Sequence, residues 1–241
     1  SAEYPAYVFT KFIFFKFLFL DFKTRCLYKR YNDMSQKIIN AYINYLQEEG
    51  KRPQSISKFC KENKLKEKDF FNEFGSFEAI ESHIFTGIFN DIKNQLNSDE
   101  VFNAYNSKER VLAFFYSWTE KLMDYRSLIL FFESEKQHGP IPHYLKDIKK
   151  ELTAFLNDIV QIGFDSGEII RRPFLADYYK DALFIQFTSI HKFWVKDNSK
   201  AFEKSDEFIE KSVQFSFDLL GKTAFDSAFD LGKFLFQNIN K

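Results

Sequence analysis

"SISKFCKENKLKEKDFFNEFGSFEAI" occupies residues 55–80 of the 241-residue chain. Ile56, Phe59 and Cys60 recur at helical spacing, Leu65 follows in a polar stretch, and Phe70, Phe71 and Phe74 make a second apolar stripe. The spacing predicts two short helices joined by a tight turn that Leu65 plugs. Gly75-Ser76 breaks the second helix. Ser76 is placed as the N-cap of another, with Glu78 in its first turn, where a carboxylate favours the helix dipole. Basic side chains crowd the same region. Lys51, Arg52, Lys58, Lys61, Lys64, Lys66 and Lys68 are opposed there only by Glu62 and Glu67.

Upstream, Ile38, Ile39, Tyr42, Ile43 and Leu46 recur at three and four residues and Gly50 supplies a stop, so a helix of about four turns precedes the pair. Downstream, the pattern predicts a helix to about residue 97, then two helices parted near residues 124–127. "QHGPIP" reads as a loop, and longer helices follow over residues 143–165, 175–196 and from residue 205 onward, with a bend near Gly221. No strand-like alternation competes. The composition agrees: Phe 33 against Gly 8 and Pro 5 gives aromatic bulk for a core and few of the breakers that sandwiches and barrels need. The expected fold class is all-α.

Net charge is zero, so any electrostatic case for a partner is local. Cys26 and Cys60 make neither a metal spacing nor a disulfide framework, which fits a reducing cytoplasm. The first 33 residues differ from the rest. "YVFTKFIFFKFLFL" is interrupted by Lys11 and Lys16 and falls short of the roughly 20 apolar residues of a membrane helix. No small-residue cleavage site follows it. Residues 1–33 are read as an aromatic-rich extension outside the fold with Met34 as the natural start, or as a membrane-surface or self-associating segment.

His83, His138, His143 and His191 form no metal pattern, and no phosphate loop, nucleophile elbow or adjacent Cys–His pair occurs. Carboxylate pairs such as Glu133 and Glu135 read as solvated helix faces. Catalysis, a metal and a cofactor are not expected.

Three short helices with a sharp turn between the second and third, followed by a larger helical body, resemble the TetR family of bacterial transcriptional regulators. "IINAYINYLQEEG" is similar to that family's first helix, Ser55 to the start of its second, Phe70, Phe71 and Phe74 to the aromatic end of its third, and "GSFEAI" to the opening of its fourth. Further on, "GFDSGEI" and Trp194 near Asp197 are loosely similar. Departures stand beside the matches. Lys64-Leu65-Lys66 replaces the usual Gly-Val-Ser, so the third helix lacks its hydroxyl cap, which Asp69 can partly replace. Phe71 replaces a phosphate-binding Tyr, and Phe77 a Lys.

The resemblance implies a helix-turn-helix DNA-binding domain over residues 34–85 and an effector-binding and dimerisation domain over residues 86–241. Candidate DNA-binding residues are Lys51, Gln54, Ser55, Lys64, Lys66, Lys68, Phe71 and Asn72. Lys66 and Lys68 suit guanine acceptors or phosphates, and the Asn72 amide suits adenine. Candidate pocket walls are Phe115, Trp118, Phe131, Phe184, Phe187 and His191, whose spacing also fits ordinary core; the excess of Phe suggests an apolar or amphipathic effector. The last two long helices carry apolar groups on more than one face and so need a second partner; the resemblance implies that this is a homodimer contact, set over palindromic double-stranded DNA, the alternative being a monomeric bundle that buries those faces internally. The expected function is a ligand-responsive regulator, as a repressor. The alternative is a TetR-fold protein that has lost DNA binding and holds a lipid, as in the coenzyme Q biosynthesis accessory family; a third reading is a membrane-associated helper using the aromatic extension.

Overall fold

A computed structural model describes residues 33–134 and 141–221, all of them helix, turn or loop, with no strand among the described residues. The extension, Cys26, His138, part of the "QHGPIP" loop and the end of the chain beyond Gly221 lie outside the described residues.

Helix α1 (Asp33–Glu49) buries Ile38, Ile39, Tyr42 and Leu46 along one side and ends at Gly50, whose φ of +61° is the left-handed geometry that glycine adopts without strain. Helix α2 (Ile56–Glu62) starts where the Ser55 hydroxyl accepts from the Lys58 amide at 3.2 Å. It ends in a paired-amide stop. The Leu65 amide donates to the Cys60 carbonyl at 2.8 Å and the Lys64 amide to that of Lys61 at 3.4 Å, with Lys64 left-handed at φ +55°. Leu65 packs on the core as the turn's plug.

Helix α3 (Glu67–Glu73) begins at Lys66 without a side-chain cap, and no hydrogen bond from Asp69 replaces it. Helix α4 (Phe77–Ser98) begins at Ser76, whose hydroxyl accepts from the Ala79 amide at 3.2 Å. Aromatic rings join the four helices: Phe59 meets Phe77 at 5.5 Å and Phe70 at 6.2 Å, and Tyr42 stacks on Phe77 at 5.1 Å. Phe77 is thus a core residue, not an outward one. At about 33 Å long, α4 reaches from this cluster into the rest of the molecule.

A short helix α5 (Glu100–Ala104), capped by Asp99, occupies a stretch the sequence pattern leaves as a break. Helix α6 (Ser107–Leu122) opens with a reciprocal Asn106/Glu109 cap. A single tight turn leads to α7 (Arg126–Ser134). The helix expected over residues 143–165 is broken: one turn at His143–Leu145 precedes α8 (Lys149–Ser166). Helices α9 (Tyr179–Lys196) and α10 (Glu203–Leu220) follow. Helix α9 packs mainly on α8, and α6 is sandwiched by α4, α8 and α10. Phe114 lies at the centre, 5.2 Å from Phe155, 5.9 Å from Phe187 and 6.2 Å from Phe89.

Close approach at Gly163 locks two of these elements. A Cβ there would fall 2.5 Å from Ile169 Cδ1 and 2.7 Å from Ser107 Oγ. Glu168 then accepts from the Ser107 amide at 2.9 Å, the Ser107 hydroxyl at 2.5 Å and the Lys108 amide at 3.2 Å, satisfying the start of α6 from the far end of α8.

Candidate nucleic-acid interface and aromatic core

The expected DNA-binding residues lie before α2, in the turn that follows it and on α3. Lys51, Gln54, Ser55, Lys64, Lys66, Lys68, Phe71 and Asn72 are all exposed. Lys68, Phe71 and Asn72 share a face of α3 because they lie three and four residues apart. Lys64, Lys66 and Lys68 make no ion pair among the described residues, whereas Lys58 reaches Gln54 at 3.4 Å and Glu62 at 3.9 Å, and Lys51 lies 3.9 Å from Glu49. Three cations therefore stand exposed at and just after the turn without an ion pair among the described residues.

Arg52 does not belong to that surface. Its guanidinium turns inward to Glu81 at 2.8 Å and Glu78 at 3.0 Å. Glu81 is fully buried, and its carboxylate also accepts from the Tyr42 hydroxyl at 2.6 Å and pairs with His143. Burial, and then the neighbouring Glu81 charge, push the Tyr42 phenol far up, so it stays a donor. This joint draws on α1, the α1–α2 connection, α4 and the turn before α8. Truncating one member of such a buried set leaves an uncompensated charge, at a typical cost of about 3–5 kcal/mol. The only sequence signal for it is the spacing of Glu78 and Glu81 on one face of α4.

The neighbouring residue faces the other way. The Tyr144 hydroxyl lies 2.9 Å from His191 Nε2 and donates to Glu133 at 2.7 Å, while Trp118 Nε1 donates to His191 Nδ1 at 3.4 Å. Indole can only donate, so His191 accepts on Nδ1 and donates its Nε2 proton to Tyr144. Every member is satisfied with a neutral imidazole. Burial, helped by the Lys192 charge, lowers the His191 pKa to about 3. Tyr144 and Glu133 are absent from the expected pocket, because their partners are remote in sequence.

Of the expected pocket walls, Phe115, Trp118, Phe184, Phe187 and His191 come together: Phe187 is 4.9 Å from Trp118, 6.1 Å from Phe184 and 6.4 Å from Phe115, and Trp118 is 6.3 Å from His191. All five are buried, so a ligand reaches them only if the surrounding helices part. Phe131 is half-buried and stacks edge-on to Phe132 at 5.8 Å, apart from that group. Among the described residues no cluster of His, Cys, Asp and Glu could hold a metal. His83 packs on Phe74 at 5.5 Å.

Helices α9 and α10 each bury one side and expose another that is also apolar. Ile185, Phe215 and Leu219 are 64%, 63% and 54% exposed. Phe193 stacks on Phe208 at 4.5 Å, and Gln186 bonds Ser212 at 3.1 Å and Ser216 at 2.9 Å, joining the two stripes into one surface. At their connection Asp197 accepts from Ser199 and Ser205. Burial opposes its ionisation, but those hydrogen bonds outweigh it and hold the carboxyl at about 2. Arg126 donates to the carbonyls of Trp194, Val195 and Asp197 at 3.0–3.3 Å, closing the end of α9. No described helix is long and apolar enough to cross a membrane.

No curated protein matches the sequence significantly. Similar solved structures include the fatty acid degradation regulator FadR from Bacillus halodurans (14% identity, covering 78% of this chain and 97% of that one, TM-score 0.55). The transcriptional regulator FadR from Bacillus subtilis, in complex with stearoyl-CoA, is 17% identical and covers 73% of this chain and 95% of its own, with TM-score 0.53. The TetR-family repressor FadR from Thermus thermophilus, in complex with lauroyl-CoA, is 14% identical over 76% of this chain and 93% of its own, with TM-score 0.54. At these identities the likeness is one of fold, an all-α fold. The family model described as "Tetracyclin repressor-like, C-terminal domain" matches residues 110–235, more than half of the chain, and the chain belongs to that TetR-like family.

Proposed function

We propose that the protein is a ligand-responsive transcriptional regulator that acts as a repressor in the cytoplasm, binding palindromic duplex DNA as a homodimer. The observation that carries this reading is the exposed triad Lys64, Lys66 and Lys68, without an ion pair among the described residues, at a turn and the start of the helix that carries exposed Phe71 and Asn72. A retired DNA-binding head has no reason to hold three unpaired cations at its turn. Most affinity for duplex DNA comes from neutralising phosphates, and exposed Lys51, Gln54 and Ser55, just ahead of α2, are further candidates for contacts. Residues 34–85 form the DNA-binding part and residues 86–241 the effector and dimerisation part.

The exposed stripe of Ile185, Phe215 and Leu219 on α9 and α10 supports pairing with a second copy. The effector is apolar or amphipathic and sits among Phe115, Trp118, Phe184, Phe187 and His191, without Phe131, which the fold holds apart from them. Binding parts the helices around the buried rings and shifts the population toward a head spacing that does not fit the operator. Acyl-CoA thioesters, the ligands of two structures of the same fold, are the first class to test.

The test is binding of the full chain to random-sequence duplex DNA across a salt series, beside a Lys64/Lys66/Lys68 triple-to-Ala variant. Loss of three phosphate contacts flattens the slope of log K against log salt by about 2.7 per protomer. No binding at low salt with the helices intact overturns the regulator reading and favours the lipid-holding alternative.

A further inference from the structure

Phe71 is the apolar member of the outer face of α3, 55% exposed between exposed Lys68 and Asn72. Its ring has one aromatic neighbour among the described residues. It stands edge-on to the buried Phe70 at 5.7 Å, and Phe70 is itself fixed against Phe77 at 5.7 Å and Phe59 at 6.2 Å. A phenyl ring cannot hydrogen-bond a phosphate oxygen, so the phosphate-binding role of a tyrosine at this place is closed to it. The unpaired Lys64, Lys66 and Lys68 around it disfavour a wholly apolar partner and suit a polyanion that carries an apolar group. In the major groove of DNA that group is the C5-methyl of thymine.

We infer that Phe71 is a specificity-determining residue that reads a thymine methyl, while the neighbouring Asn72 amide faces the adenine edge of the same or the adjacent base pair. The inference rests on the DNA-binding reading above and deepens it: the operator half-site carries A·T pairs under the middle of α3. Phe71 acts through base identity, and the lysines act through the phosphates irrespective of sequence.

The experiment is selection of duplexes from a random library by the full chain, followed by replacement of each selected thymine with deoxyuridine, which lacks only the methyl. Expected is one thymine per half-site at which the replacement lowers affinity about fourfold, the worth of one buried methyl. Phe71→Ala loses that sensitivity, and its own selection no longer enriches thymine there. Its salt slope stays that of the wild type. Because Phe71 is exposed, the variant keeps its fold, checked by its melting curve; the deoxyuridine series on the unaltered chain needs no variant at all. Wild-type binding indifferent to deoxyuridine at every selected thymine overturns the inference and leaves DNA binding standing, as does thymine enrichment that survives Phe71→Ala. Failure to bind any duplex overturns both.

Discussion

Lys64→Gly is expected to make the protein more stable and a weaker DNA binder at once. Lys64 occupies the left-handed position after α2 at φ +55°, where a side chain costs about 1–2 kcal/mol. Glycine relieves that strain but brings roughly 0.5–1 kcal/mol of extra freedom in the unfolded chain. The net gain is about 0.5 kcal/mol, or roughly 1–2 °C in Tm for a domain of this size. The same change removes one outward cation, so the slope of log K against log salt falls by about 0.9 per protomer. Lys64→Ala separates the two effects, since it removes the cation and keeps the strained backbone. Urea midpoints and a salt series on duplex DNA read them independently. A Lys64→Gly protein less stable than Lys64→Ala refutes the strain assigned to this turn; an unchanged salt slope in both refutes the phosphate role of Lys64.

Gly163→Ala pushes a methyl into Ile169 and Ser107 and is expected to cost about 1–3 kcal/mol, seen as a lower urea midpoint with unchanged m-value. His191, with its pKa lowered to about 3, stays neutral when folded, whereas the unfolded chain takes up a proton below about 6.5. Stability from this group is therefore full above pH 6.5 and declines toward pH 3. Denaturant midpoints of the wild type should lose about 1.4 kcal/mol per pH unit, relative to His191→Gln, as pH falls through the range below 6. Phe215→Asp places a charge in the exposed stripe shared by α9 and α10. It should convert a dimer to a monomer in sedimentation velocity without lowering helix content, and an unchanged dimer would move the interface elsewhere.

The sequence by itself determined most of the local architecture. Apolar spacing marks α1 and α4, the hydroxyls of Ser55 and Ser76 mark two helix starts, and Gly50 marks a stop, because each of these is settled within one or two turns of chain. The outward lysines of the α2–α3 turn were legible for the same reason: a short amphipathic helix fixes its own outside. Local pattern was less able to place α5, held by the Asp99 cap, or the break before α8, where His143 and Tyr144 are drawn into opposite networks. Tertiary structure decided the fate of the charges and rings. Arg52 reads as one more cation of the basic cluster, but Glu81, 29 residues away, takes it inward. Tyr144 finds His191 across 47 residues, and Gly163 is glycine because Ile169 and Ser107 converge on it. Helix formation depends on neighbours three and four residues off, whereas a buried charge or hydroxyl must be satisfied by whatever the packing brings, and only the assembled helices specify that partner.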